Sequence, residues 1–175
     1  FKQKTAYEIP KRDWSSDVCS SDLAGGAFAV IIDYAHTPEA LRNVLASARE
    51  LRSAGGSRVT VVFGCGGDRD PSKRAEMGAA AAAADNIIVT SDNPRYESPQ
   101  LIIDAIVAGI PSADRAKTVV EVDRRHAISR AIADARRGDV IVIAGRGHET
   151  MQSVAGREVA FDDAAVAREL LGARS

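Results

Sequence analysis

Val59-Thr60-Val61-Val62-Phe63-Gly64-Cys65-Gly66-Gly67-Asp68-Arg69-Asp70 decides how the rest of the chain is read. A short, unbroken β-branched run is the pattern of a strand buried on both faces of a mainly parallel sheet. It stops at a glycine cluster that carries charge, so a polar loop begins where the strand ends. The same grammar recurs in both directions. Phe28–Asp33 leads into Asp33-Tyr34-Ala35-His36-Thr37-Pro38, and Asn86–Thr90 into Ser91-Asp92-Asn93-Pro94-Arg95-Tyr96-Glu97. Val140–Ala144 leads into Gly145-Arg146-Gly147-His148-Glu149. Thr118–Val122 is a fifth candidate strand, and a weaker sixth lies at Glu158–Phe161.

Helices fill the gaps. Thr37-Pro38 and Ser98-Pro99 each place a cap before proline at the first helical position, which predicts helices to about Ser53 and about Ala108. Lys73–Ala84 is alanine-rich and helix-favouring. Asp123 caps a helix over Arg124–Arg136, and Asp162 or Asp163 caps the last, through Leu171. Strands alternating with such helices imply right-handed crossovers. The expected fold is α/β: a doubly wound, mainly parallel sheet of about six strands.

Composition sets the wider limits. The chain has 175 residues, 45% apolar and 27% charged, with 23 Lys plus Arg against 24 Asp plus Glu. A formal net charge of −1 supplies no bulk attraction for nucleic acid or an anionic membrane. Aromatic residues at 5% supply few stacking platforms. No apolar run approaches the roughly 18–20 residues of a membrane span. Two cysteines, Cys19 and Cys65, lie far apart without Cys-x-x-Cys spacing, so no metal site is expected and a reducing, cytoplasmic compartment is.

Residues 1–23 read differently from residues 24–175. The run Asp13–Leu23 is polar and aperiodic and resembles a translated sequencing adapter, its plain alternative being a genuine Ser/Asp-rich linker; on either reading it is set apart as a disordered segment. Cys19 and Trp14 then carry no functional meaning. Residues 24–175 form the expected domain.

The chemistry concentrates in the four loops. In an open parallel sheet the carboxyl ends of the strands share one edge, where ligands bind. The Gly64–Gly67 turn allows close approach of backbone N–H groups to an anion, and Arg69 adds a planar charge suited to carboxylate or phosphate. Its plain alternative is a tight turn with Arg69 in a surface salt bridge. Pro94 stiffens the loop that carries Arg95. Asp92 or Asn93 is placed to orient that guanidinium or to accept from an ammonium. Glu149 is a candidate holder of a substrate amine, with His148 beside it. Asp33 and His36 serve either as caps or as ligand contacts. Cys65 reads as inert. No Gly-x-x-x-x-Gly-Lys-Ser/Thr loop, nucleophile elbow or zinc spacing occurs in these residues. The cluster looks like half of an active site.

Four ordered motifs carry a resemblance: DYAHTPEAL (33–41), FGCGGDRDPSKRAEMG (63–78), SDNPRYESP (91–99) and AGRGHET (144–150). Together they are similar to the C-terminal, Rossmann-like domain of the Mur ligases, in the branch that adds meso-2,6-diaminopimelate. The resemblance spans about Ala24 to Leu171. It implies a cytoplasmic, ATP-dependent ligase of peptidoglycan biosynthesis. ATP phosphorylates the D-glutamate carboxylate of UDP-N-acetylmuramoyl-L-alanyl-D-glutamate, and the diaminopimelate amine attacks the acyl phosphate. It also implies that ATP and Mg2+ are held mainly by a central domain outside these residues, and that this chain alone is inactive. By position, Arg69, Asp92, Asn93, Pro94, Arg95, Gly145 and Glu149 match the diaminopimelate-binding residues. Asp33, and more weakly His36, match the ATP side. Arg146 departs from the family, which usually has lysine there. The rivals are a non-catalytic α/β module binding an amino acid or nucleotide, and a sibling ligase of the lysine-adding or folylpolyglutamate type.

Overall fold

Residue alternation inside the strands decides where the helices dock. The computed structural model describes residues 17–20, 28–52 and 55–173. Its strands are β1 (Asp17–Ser20), β2 (Ala29–Asp33), β3 (Val59–Phe63), β4 (Asn86–Val89), β5 (Thr118–Val120), β6 (Val140–Ala144), β7 (Met151–Val154) and β8 (Arg157–Ala160). Its α-helices are α1 (Pro38–Leu51), α2 (Ser72–Ala81), α3 (Pro99–Gly109), α4 (Arg124–Asp134) and α5 (Asp163–Gly172). A short 3-10 helix, Ser112–Lys117, leads into β5.

The main sheet has the order β1-β2-β6-β3-β4-β5. All neighbours from β2 to β5 pair in parallel, and β1 pairs antiparallel with β2. Side chains of successive strand residues point to opposite faces. Ile31, Val61, Phe63, Val89, Val142 and Ala144 therefore meet α1, α2 and α3 on one face. Val30, Ile32, Val62, Ile88, Ile141 and Ile143 meet α4 and α5 on the other. Central β6 is buried at every position, which is why it reads as a continuous apolar run. Each large aliphatic side chain buried in these layers contributes about 1.5–3 kcal/mol.

Caps set several helix starts. Thr37 accepts from Ala40 N at 3.2 Å, with proline at the first helical position of α1. Asp123 accepts from His126 N and Asp162 from Ala164 N and Ala165 N. α2 starts at Ser72 and stops at Ala81, three residues short of the alanine-rich reading, and α4 stops at Asp134. The expected end of α1 at Ser53 lies outside the described residues.

Two expectations are corrected. Glu158–Phe161 does not join the main sheet. It overlaps β8, whose partner is β7, in a separate antiparallel hairpin. Ala155 and Gly156, at φ 50° and 73°, make the left-handed turn that folds these strands on each other. The sixth strand of the sheet is instead Asp17–Ser20, drawn from the segment expected to be disordered. The exposed edge of β2 offers unpaired backbone groups, which an extended segment can satisfy whatever its side chains. Residues 1–16 and 21–23 lie outside the described residues.

Candidate functional site

The topology brings the loops after β2, β6, β3 and β4 side by side, in that order, at the carboxyl edge. β6 enters the sheet between β2 and β3, so the direction of winding reverses there and opens a crevice. A cleft of about 450 Å3 lies at this edge. Tyr34 and His36 line one part of it; Gly64, Cys65, Gly66, Arg69, Asp70, Lys73, Arg74 and Met77 another. Asp92, Asn93, Arg95, Gly145 and Glu149 complete it. A second cleft of about 390 Å3 shares Asn93, Arg95 and Glu149 and continues along Thr150, Met151, Ser153 and Glu158.

The β3 and β4 loops are locked together by backbone contacts. Gly67 N donates to Asn93 O at 2.8 Å, and Arg95 Nη1 donates to Gly67 O at 2.6 Å. A Cβ on Gly67 would collide with the Pro94 carbonyl, so this approach needs glycine. Glu97 adds a second clasp, taking 2.6 and 2.7 Å bonds from Asp68 N and Arg74 Nη2. Arg95 itself sits at φ 54°, in the left-handed region that a side chain rarely occupies. Its N–H donates to Ser153 O at 2.9 Å, so the hairpin holds the strained residue in place.

Two of the three arginines in this cleft stand apart from the other. Arg74 is committed to Glu97, but among the described residues neither Arg69 nor Arg95 has an ion-pair partner. A Cβ built on Gly66 would lie 3.0 Å from Arg95 Nη1 and 3.6 Å from Arg69 Cγ, so both side chains flank one glycine. Two guanidinium groups with donors to spare make a place for carboxylate.

The acidic counterpart lines the same cleft. Asn93 Nδ2 donates to Glu149 Oε2 at 2.9 Å. Asn93 Oδ1 receives Arg146 Nη1 at 3.0 Å and Ser153 N at 2.9 Å. Asp92 is buried, and its main-chain carbonyl accepts from Gln152 Nε2. Burial pushes the Asp92 carboxyl above the usual aspartate range, while Arg124 and Arg146 pull it back. Gly145, at φ 112°, faces that carboxylate so closely that any side chain would strike Asp92 Oδ2.

Most residues singled out from sequence thus converge, with three differences. Pro94 is buried under the Gly67 turn and does not line the cleft. Asp33 Oδ1 accepts from Ala35 N at 2.7 Å, so this carboxylate shapes the turn into α1 while His36 lines the cleft. Asn93 orients Glu149 and leaves the Arg95 guanidinium to Gly67 O. His148 is exposed, with its ring 6.0 Å from that of Tyr34. At Cys65 burial, helped by the charge of Asp92, pushes the thiol up to about 12, away from the reactive thiolate.

Sequence reading missed the scaffold beneath. Arg124 and Asp163 form a fully buried pair, with bonds of 2.8 and 2.7 Å. Arg124 also donates to Ser91 O at 3.3 Å and Ala144 O at 3.0 Å, the roots of two site loops. Its position, at the start of a helix just after a strand end, was the available signal. Lys73 and Arg74, following the Arg69 loop, were another. Among the described residues no group of three His, Cys, Asp or Glu side chains is placed to hold a metal ion, and no helix is long and apolar enough to cross a membrane.

Comparison with known proteins gives this geometry its relatives. The chain is 53% identical over 148 residues to the UDP-N-acetylmuramoyl-L-alanyl-D-glutamate–2,6-diaminopimelate ligase of Solibacter usitatus (strain Ellin6076), covering 84% of this chain and 29% of that one. It is 54% identical over 152 residues to the like-named protein of Chromobacterium violaceum (strain ATCC 12472), covering 85% and 30%. A solved structure of a ligase of the same name superposes with a TM-score of 0.83 at 36% identity, covering 95% of this chain and 33% of that one. The chain therefore spans about three tenths of the length of the relatives it matches. A family model described as Mur ligase, glutamate ligase domain, matches residues 20–147, beginning inside the stretch that composition sets apart. With strand order, site loops and family model in agreement, the chain belongs to the Mur ligase family and contains its glutamate ligase domain.

Proposed function

We propose that this chain is the amino-acid-reading domain of an ATP-dependent amide ligase that adds meso-2,6-diaminopimelate to UDP-N-acetylmuramoyl-L-alanyl-D-glutamate. One observation carries the reading. Arg69 and Arg95, both without ion-pair partners among the described residues, line a cleft that Asp92 and Glu149 also line. A zwitterionic amino acid with two carboxylates and two ammonium groups complements that pattern. The names of the 50–54% identical relatives support the same substrate.

In this reading Arg95 pairs with the carboxylate that distinguishes diaminopimelate from lysine, and Arg69 adds positive charge beside it. Glu149, held by Asn93, takes an ammonium, and Asp92 contributes negative charge from beneath Gly145. A lysine ligand would leave the Arg95 guanidinium unpaired in a half-buried site, which penalises it. Activation of the acceptor carboxylate belongs to ATP and Mg2+. The described residues do not fit that task alone: they bring together no acidic metal cluster, and the 175 residues contain no phosphate loop. In this reading His36, which lines the cleft with Tyr34, faces a nucleotide, with Asp33 fixing its turn. Residues 24–175 are proposed as the functional unit, in a cytoplasmic enzyme.

Calorimetry of the purified chain with meso-diaminopimelate, lysine and glutamate tests the reading. Diaminopimelate is expected to bind at least about tenfold more tightly than either of the others. A preference for lysine or glutamate would move the chain to a sibling ligase.

A further inference from the structure

Arg146 is the largest side chain with no solvent exposure among the described residues. Its Nη1 donates to Asn93 Oδ1 at 3.0 Å, and its Nη2 donates to Met151 O and Phe161 O, both at 2.9 Å. The guanidinium lies 5.6 Å from the centre of the Phe161 ring. Among the described residues no carboxylate pairs with it directly. A buried cation is costly unless its donors are met and a negative field lies near. Here three oxygens meet Nη1 and Nη2, Nε is buried with no partner among the described residues, and the Asp92 carboxylate supplies the field.

Two features of the amino-acid site depend on this placement. Asn93 Oδ1 faces two groups that can only donate, Arg146 Nη1 and Ser153 N. A flipped amide would set its NH2 against both, so Nδ2 must point at Glu149 Oε2. The same guanidinium ties residue 151, at the start of the β7–β8 hairpin, to residue 161, just past its end. That hairpin holds Arg95 through Ser153 O. One buried group thus stands behind both the acidic and the basic poles of the cleft, yet it does not line the cleft itself.

We propose that Arg146 is a positioning residue for the amino-acid site: it sets the Asn93 amide, and through it Glu149, while clamping the hairpin that holds Arg95. The proposal rests on the amino-acid reading of the cleft for its ligand but not for its geometry. Lysine, which keeps a charge and three donors on a shorter stem, supports the same contacts in part; methionine supports none.

The test uses the whole chain and two readouts. Without ligand, the Asn93 side-chain NH2 signals and the exchange rate of the Ser153 amide are followed by NMR in the unsubstituted, Arg146→Met and Arg146→Lys chains. With ligand, meso-diaminopimelate affinity is measured by calorimetry in all three. In Arg146→Met the Asn93 signals should move and Ser153 exchange should quicken by at least about tenfold. Diaminopimelate affinity should fall by at least about tenfold, and Arg146→Lys should restore it to within about threefold. If Arg146→Met does not fold, Arg146→Gln, which keeps a donor but no charge, takes its place with the same expectations. Unmoved Asn93 and Ser153 signals, or unchanged affinity in a folded variant, overturn the proposal. If the unsubstituted chain binds no diaminopimelate while the ligand-free signals respond to Arg146→Met, the positioning role stands and the ligand reading fails.

Discussion

Asn93 donates through Nδ2 to Glu149 Oε2 at 2.9 Å, joining loops that lie 56 residues apart in the chain. The bond leaves Glu149 oriented and open to the cleft, as an ammonium ligand requires. Glu149→Gln can keep the bond by accepting through its amide oxygen, but it loses the charge. Its diaminopimelate affinity should fall about tenfold with an unchanged melting temperature. Calorimetry and thermal unfolding measure the two quantities; equal affinity would remove Glu149 from the ammonium site.

The buried Arg124–Asp163 pair separates stability from binding. Arg124→Ala strands Asp163 without its partner and should cost about 3–5 kcal/mol in denaturant unfolding. Replacing both, as Arg124→Met with Asp163→Leu, should recover much of that stability. Affinity should not recover with it, because the bonds from Arg124 to Ser91 O and Ala144 O are gone.

Neighbouring glycines in the β3 loop should respond differently. At Gly66 an added methyl presses on the far end of Arg95 and meets the stem of Arg69 and the Asn93 carbonyl at ordinary contact distance. Gly66→Ala should leave stability within about 0.5 kcal/mol and weaken diaminopimelate binding by roughly three- to tenfold. At Gly67 the methyl meets the Pro94 backbone, so Gly67→Ala should cost about 2 kcal/mol or more.

Two aspartates give pH dependences of opposite sign. Burial would raise Asp139, but hydrogen bonds from Arg58 N, Arg136 N and the Arg58 side chain overcome it and hold the carboxyl below the ordinary 3.8. Its contribution is present above that value and lost as pH falls through the lowered one. Asp139→Asn should therefore destabilise the protein at neutral pH, with the difference closing in acid. Asp92, raised by burial, behaves the other way: its favourable contribution holds in acid and is lost as pH rises above 3.8 through the raised value. Asp92→Asn should gain stability relative to the parent as pH rises, measured by urea unfolding at stepped pH.

The parallel sheet was legible because β2, β3, β4 and β6 are continuous apolar runs ending in polar loops, Gly-rich after β3 and β6. That pattern alone placed Arg69, Arg95 and Glu149 on one edge. It could not show that Glu158–Phe161 turns back on Met151–Val154, because the hairpin turn is Ala155-Gly156 rather than an Asn-Gly or Asp-Gly signal. Nor could it show that Arg146 is buried. Its neighbours Met151 and Phe161 supply carbonyl oxygens, and backbone acceptors leave no mark in a sequence. The Arg124–Asp163 pair was hidden by separation: its members lie 39 positions apart, and each reads locally as part of a helix start.

The central claim is that Arg95 reads the carboxylate by which diaminopimelate differs from lysine. Its most direct test is the ratio of diaminopimelate to lysine affinity in the chain and in Arg95→Ala. The substitution should lower that ratio by at least about tenfold, mainly through lost diaminopimelate binding. A ratio that stays within about twofold of the parent would contradict the role assigned to Arg95.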